Sequence, residues 1–370
     1  MKKHILAGTL LTITCLSGCA QSLPPHAELN QVFTRSFDAS GFNYTSKSRI
    51  TTLTIPKSDL PKDTSNKVQM ALGGGLEILK GLSATADGAV DMKAKKSEVL
   101  YDIRYDRDNF EVSLKLPMLV EYDTQTIYVG TSVLTTILET MYPQAPSTKG
   151  KLIRININEL LQEGAKESPE LAKLLGERRL TVQNIDAFNR TIKNSALKAI
   201  AKLDDSAFSE LPLTEQDRKT GAVRRIHVTL DQKDSVTVVL DLIEGISQAL
   251  FQDGLIGEKE LEVLRALTDR QVLDGIMENF TLTMTCDVGV SPAGFISTME
   301  SQLNIGDKDK VYQIGLSNSS SFSNFNAPRF TMKPEPGEIV DIKDIMSVIM
   351  ADCADDDESE EAAEQVQSGS

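Results

Sequence analysis

Few side chains in this 370-residue chain have the types and spacing that bond-making chemistry needs. It holds three histidines (His4, His26 and His227), four cysteines and no tryptophan. His227 stands between Ile226 and Val228, so in an alternating strand it points to the wet side. A nucleophilic triad would have to rest on it. No Gly-x-Ser-x-Gly elbow, Gly-x-x-x-x-Gly-Lys loop or His-Glu-x-x-His pair occurs anywhere in the chain. Asp106-Arg107-Asp108-Asn109 has calcium-loop residue types, but the arginine and the missing later carboxylate favour a hairpin turn. Gly73-Gly74-Gly75 has no clear strand before it and no lysine in place after it, so a bend in a helix fits better than a phosphate cradle. The expectation is a protein with no catalytic residue, no cofactor and no metal site.

One cysteine does sit in a pattern with chemical meaning. Lys2, Lys3 and His4 precede a short apolar run from Ile5 to Cys15, the layout of a secretory signal. That run is shorter than the roughly 20 residues of a transmembrane helix. The Leu16-Ser17-Gly18-Cys19 that follows resembles the lipobox of bacterial lipoproteins. The resemblance implies that residues 1–18 are removed and that the Cys19 sulfur is acylated, so the membrane is the first partner. Acyl chains add about 0.8 kcal/mol per buried CH2, and several on one cysteine give lasting anchorage. Ala20, rather than aspartate, follows the cysteine. By the family's sorting rule this implies an envelope protein lipid-anchored in the outer membrane, facing the periplasm from a tether over residues 19–28. An ordinary secretory signal with a chance cysteine is the alternative.

The formal charge of −14 becomes −16 without Lys2 and Lys3. Eight acidic and no basic residues lie in residues 351–370, which leaves −8 on the body. That balance argues against nucleic acid and against a polybasic contact with anionic lipid. The tail is too polar to offset the entropy of ordering and reads as disordered, although it could dock on a basic envelope protein. Cys286 and Cys353 remain after the lipid anchor. A disulfide is permitted in that compartment, but Cys286 lies in a strand and Cys353 beside the tail, so two free thiols are expected.

The elements that must position these groups follow from periodicity. Glu28 to Phe37 suits a short helix and Tyr44 to Ile55 a β-branched strand. A helix is expected from about Asn66 to Gly81, with Val68, Leu72, Leu76 and Leu79 on one side. Tyr101, Ile103 and Tyr105, then Phe110, Val112, Leu114 and Leu116, alternate with polar residues and predict a hairpin ended by Pro117. Short strands follow at Thr126 to Val129 and Ile153 to Ile157. A helical insert is expected over about 166–205, then a strand at Ile226 to Leu230. Helices follow at about Val236–Phe251, Glu258–Leu267 and Arg270–Glu278. Phe280, Leu282, Met284, Cys286, Val288 and Val290 share one face of a long strand that opens a meander through Met299–Ile305 and Val311–Leu316.

Leu16 to Cys19, the strands at Tyr101 to Leu116 and Phe280 to Val290, and the Asn-Pro turn in Phe325 to Pro336 together resemble the lipoprotein-carrier family. These are the periplasmic lipoprotein chaperone, the outer-membrane lipoprotein receptor and the mycobacterial glycolipid-carrying lipoproteins. The resemblance is one of layout across Leu29 to Ile345. It implies an α+β fold in which a strongly curved antiparallel sheet forms a half-barrel over residues 29–350, with helices covering its concave face. It also implies an acyl or lipid ligand. The apolar groove would be lined by Tyr101, Ile103, Val112, Leu114, Leu282, Met284 and Cys286, beneath helices near Val68–Leu79 and Val239–Leu250. Two alternatives stay open: the helices pack permanently over a plain core, or the body is a structural or interaction module.

Overall fold

The computed structural model describes residues 23–349 apart from 56–78, 108–109, 132–134, 136–139, 145, 168–181, 253–255, 269–274, 276 and 310. Cys19, Cys353, the acidic tail and most of the helix expected at 66–81 lie outside the described residues.

The architecture is α+β, built on one twelve-stranded sheet. Its strands in chain order are β1 (Gly41–Thr54), β2 (Leu82–Asp91), β3 (Lys96–Arg107), β4 (Phe110–Glu121), β5 (Thr126–Gly130), β6 (Leu152–Asn156), β7 (Phe208–Leu211), β8 (Arg224–Leu230), β9 (Phe280–Val290), β10 (Ile296–Asp307), β11 (Gln313–Ser323) and β12 (Ile339–Asp341). The spatial order is β12-β6-β5-β4-β3-β2-β1-β11-β10-β9-β8-β7, open at both edges. Two meanders, β1 to β6 and β7 to β11, join where β11 pairs antiparallel with β1. Only β12 runs parallel to its neighbour, β6.

Most of the helices gather over the second meander, while the helical turn at 342–349 packs Ile345 against Ile153 and Val340 at the far edge of the first. α1 (Pro25–Phe37) starts with proline in its first turn, where no N–H is needed, and buries Leu29 and Val32. α2 (Ile157–Glu167) follows β6, and α3 (Val182–Ala201) and α5 (Gln232–Gln252) flank the short α4 (Glu215–Lys219); α6 (Glu258–Leu267) comes next. Leu29, Val32, Ala199 and Val238 from these helices, with Leu203 just after α3, close on Phe208, Ile226, Val228, Val288 and Val290 to form the main core. His26 belongs to it as well. Its ring stacks on Phe208 at 4.4 Å and lies 2.9 Å from Asp205 Oδ1 and 3.1 Å from Ile200 O, so its role is to dock α1.

Two local readings change. β4 does not stop at Pro117 but runs on to Glu121. Pairing with β5 begins only at Met118, so Pro117 sits at the end of that ladder, where a missing N–H costs least. The pyrrolidine also occupies the space beside Gly130, where any Cβ would fall 2.3 Å from Pro117 Cγ. β2 has little sequence signal, because its side facing the helices carries Leu82, Ala84, Ala86 and Gly88, small residues that make a weak pattern.

After β11 the chain crosses the back of the first meander as a strap to reach β12. Asn324 and Asn326 take positive φ (52° and 62°), a region asparagine tolerates. Asn43 Oδ1 accepts from Arg329 N at 2.8 Å, and its Nδ2 donates to Arg329 O at 2.8 Å. The buried Glu98 carboxylate accepts from Thr331 N, Thr331 Oγ1 and Met332 N at 2.8 to 3.1 Å.

Candidate functional site

Side chains alternate across the sheet, and register aligns the predicted groove residues on the face that carries the helices. Leu114, Ile103, Ala84, Ser48, Asn318, Ser301, Cys286 and Val228 form one continuous row across β4, β3, β2, β1, β11, β10, β9 and β8. Ile50, Leu316, Leu303, Met284 and Leu230 form the next. A cleft of about 530 Å³ opens over the middle of these rows, lined by Ile50, Leu82, Ala84, Ile103, Met284, Leu303 and Leu316 with Ser48, Ser301 and Asn318.

The seven predicted residues therefore share a face but not an environment. Ile103 and Met284 line the cleft. Ile103 is 38% exposed and Val112 46%, with Tyr101 exposed to a similar degree and Leu114 half-buried. Leu282 is 7% exposed and opposes Ile305. Cys286 and Met284 pack against the main core. Among the described residues Met284 thus marks the boundary at which the helical cover ends and exposed apolar side chains begin. Beyond it, Phe110, Val112, Ile103, Ile314 and Leu316 leave large apolar side chains exposed, a pattern that marks interaction surfaces on soluble proteins. The sequence pattern missed the contribution of β1 and β11 (Ile50, Leu316) and the serine and asparagine residues. Their strands alternate threonine and serine with few apolar residues, so the hydrophobic period is faint.

The thiol of Cys286 is free. Burial, followed by the neighbouring Asp287 charge, pushes it up to about 12, so it is a packed, unreactive group at neutral pH.

The opposite face is polar and centres on Arg225, 6% exposed. Its guanidinium donates to Asp217 Oδ2 at 2.8 Å and Glu300 Oε2 at 2.8 Å, and also pairs with Asp287. Asp217 caps α4, accepting from Thr214 N at 2.8 Å, and its other oxygen accepts from Thr298 Oγ1 at 2.7 Å. Burial alone would raise its carboxyl, but the hydrogen bonds from Arg225, Thr214 and Thr298 outweigh it and hold the group at about 2. Gly289 is required beneath this network, since a Cβ there would lie 2.1 Å from Thr298 Oγ1. His227 Nδ1 pairs with Asp287, and Thr229 Oγ1 lies 2.6 Å from His227 Nε2. The order Thr-His-Asp matches that of a triad. However, Asp287 is shared between His227 and Arg225, and the row lies on the face away from the cleft. Its evident effect is to tie β8, β9, β10 and α4 together.

Among the described residues no group of three metal-ligating side chains is present, and no helix is long and apolar enough to cross a membrane. No family model matches the chain, and no curated protein matches it.

Proposed function

We propose that this chain is a lipid-anchored lipoprotein of the cell envelope that binds or transfers a lipid or acylated ligand, without catalysis. The observation that carries this reading is the apolar cleft between Ile103 and Met284, which continues into exposed apolar side chains. An open apolar surface of that size is costly in water, and cleft volumes of roughly 300–1,000 Å³ suit small-ligand binding. In this proposal the sheet curves into a half-barrel, its concave side is the cleft face, α5 covers one end, and Cys19 holds the body against the outer membrane on its periplasmic side. Replacing Cys19 by alanine should move the protein to the soluble fraction. A variant that stays with membranes, together with a wild type that carries no acyl mass, would remove the anchor from the account.

The cleft is tested by a pair of substitutions. Ile103→Arg, at an exposed position, should keep the circular dichroism spectrum and lose uptake of a fluorescent, uncharged acyl lipid. Leu282→Arg, at a buried position, should unfold the chain. Undiminished uptake by Ile103→Arg contradicts the groove. A second reading, a structural or interaction lipoprotein, is favoured by the eight carboxylates of residues 351–370. Pull-downs with and without residues 352–370 separate it, because a partner list that depends on the tail belongs to that reading.

A further inference from the structure

The floor of the cleft is not uniformly apolar. Between its two apolar ends, Asn318 Nδ2 donates to Ser46 Oγ at 2.8 Å and Ser48 Oγ at 2.9 Å, while its Oδ1 accepts from Ser320 Oγ at 2.8 Å. Ser46 and Ser320 hydroxyls lie 3.0 Å apart. Asn318 is thus held rigid and fully committed to the serines. Among the described residues the Ser48 hydroxyl hydrogen has no protein acceptor, and Ser301, beside Asn318 in the register, makes no side-chain hydrogen bond. Two hydroxyls are therefore left to meet whatever lies in the cleft, and both are neutral.

Among the described residues no charged side chain faces the cleft floor where an anionic head would need one. Among the described residues Arg49 is the only ionisable one lining the cleft, and its Nε donates to Ser317 Oγ at 3.2 Å on the opposite side of β11. A phosphate or carboxylate drawn into this site would lose water and gain no counter-ion, which costs far more than a neutral hydroxyl or ester that the serines can satisfy.

We infer that the cleft selects acyl lipids with an uncharged, hydroxyl- or ester-bearing head, of the diacylglycerol kind, and discriminates against anionic heads. The acyl chain lies along Ile103, Leu316 and Met284, and the head oxygens meet Ser48 and Ser301. This inference rests on the lipid-binding reading above. The test offers the full-length chain an equimolar mixture of dioleoylglycerol, dioleoyl phosphatidic acid and oleic acid and reads the complexes by native mass spectrometry. Dioleoylglycerol should exceed either anionic lipid by about tenfold or more. The double change Ser48→Ala/Ser301→Ala, at exposed and half-buried positions, should cut that preference about fivefold per hydrogen bond lost while leaving the fold intact. Equal or greater uptake of the anionic lipids overturns the head-group inference and leaves lipid binding standing. Uptake of none of the three overturns the lipid-binding reading and this inference with it.

Discussion

At the scale of residues, the polar face carries the clearest energetic assignment. Asp217 is nearly fully buried, and its carboxyl is held at about 2, below the ordinary value of about 3.9 in an unfolded chain. A depressed folded value means that the unfolded chain takes up the proton first. The stability Asp217 contributes is therefore complete above about pH 4 and is lost as pH falls towards 2, by about 2–3 kcal/mol in all. Asp217→Asn should cost about 3 kcal/mol at pH 7, because Arg225 keeps only Asp287 and Glu300. The gap between wild type and variant in urea denaturation should then close as pH falls from 4 to 2. A gap independent of pH would show that the carboxylate charge is not what matters. Asp102, held at about 2 by hydrogen bonds from Arg104 and then Ser113, and Glu159, held there by Arg154 and then Lys343, titrate in the same window. For that reason the difference between the two proteins, and not the wild-type curve, is the readout. His227 and Asp287 were legible in the sequence as wet-face residues, but the role of Arg225, two residues before His227 in β8, was not. Its three partners come from α4, β9 and β10, and no local spacing encodes such a meeting.

At the scale of elements, long amphipathic strands could be read residue by residue. β9 spans Phe280–Val290 as its alternation requires, and α6 spans Glu258–Leu267. Where one face is filled by alanine, serine or glycine, as in β2 and the middle of β11, periodicity fades, and only pairing with neighbours defines the strand. The strap after β11 is a further case. The Asn-Pro turn could be read from the sequence, but its anchor could not. Glu98, sitting between Ser97 and Val99 in a hairpin strand, gives no sign that it will cap the backbone of residues 331 and 332. Glu98→Ala should leave two N–H groups without an acceptor and destabilise the protein by about 2–3 kcal/mol. Amide exchange should speed up first from Arg329 through Asp341, the stretch that ends in β12. Uniform acceleration across all strands would contradict a local anchoring role.

At the scale of the whole molecule, one open sheet divides its labour between its faces. The side with the ionic network around Arg225 ties strands and strap together, and the side with the helices is packed at the β7–β10 end and open from Met284 towards β4. Sequence alternation assigned the apolar side correctly, because a period of two needs no tertiary information. It could not tell packed from open surface along that side. Leu282 and Ile103 have the same local pattern and differ only in what lies above them. In the function proposed above, this exposed apolar surface holds lipid. Native mass spectrometry of the full-length chain, purified without added detergent, measures it most directly. Lipid-sized adducts that vanish in Ile103→Arg are the predicted result, and a single adduct-free mass for the folded wild-type protein would contradict the account.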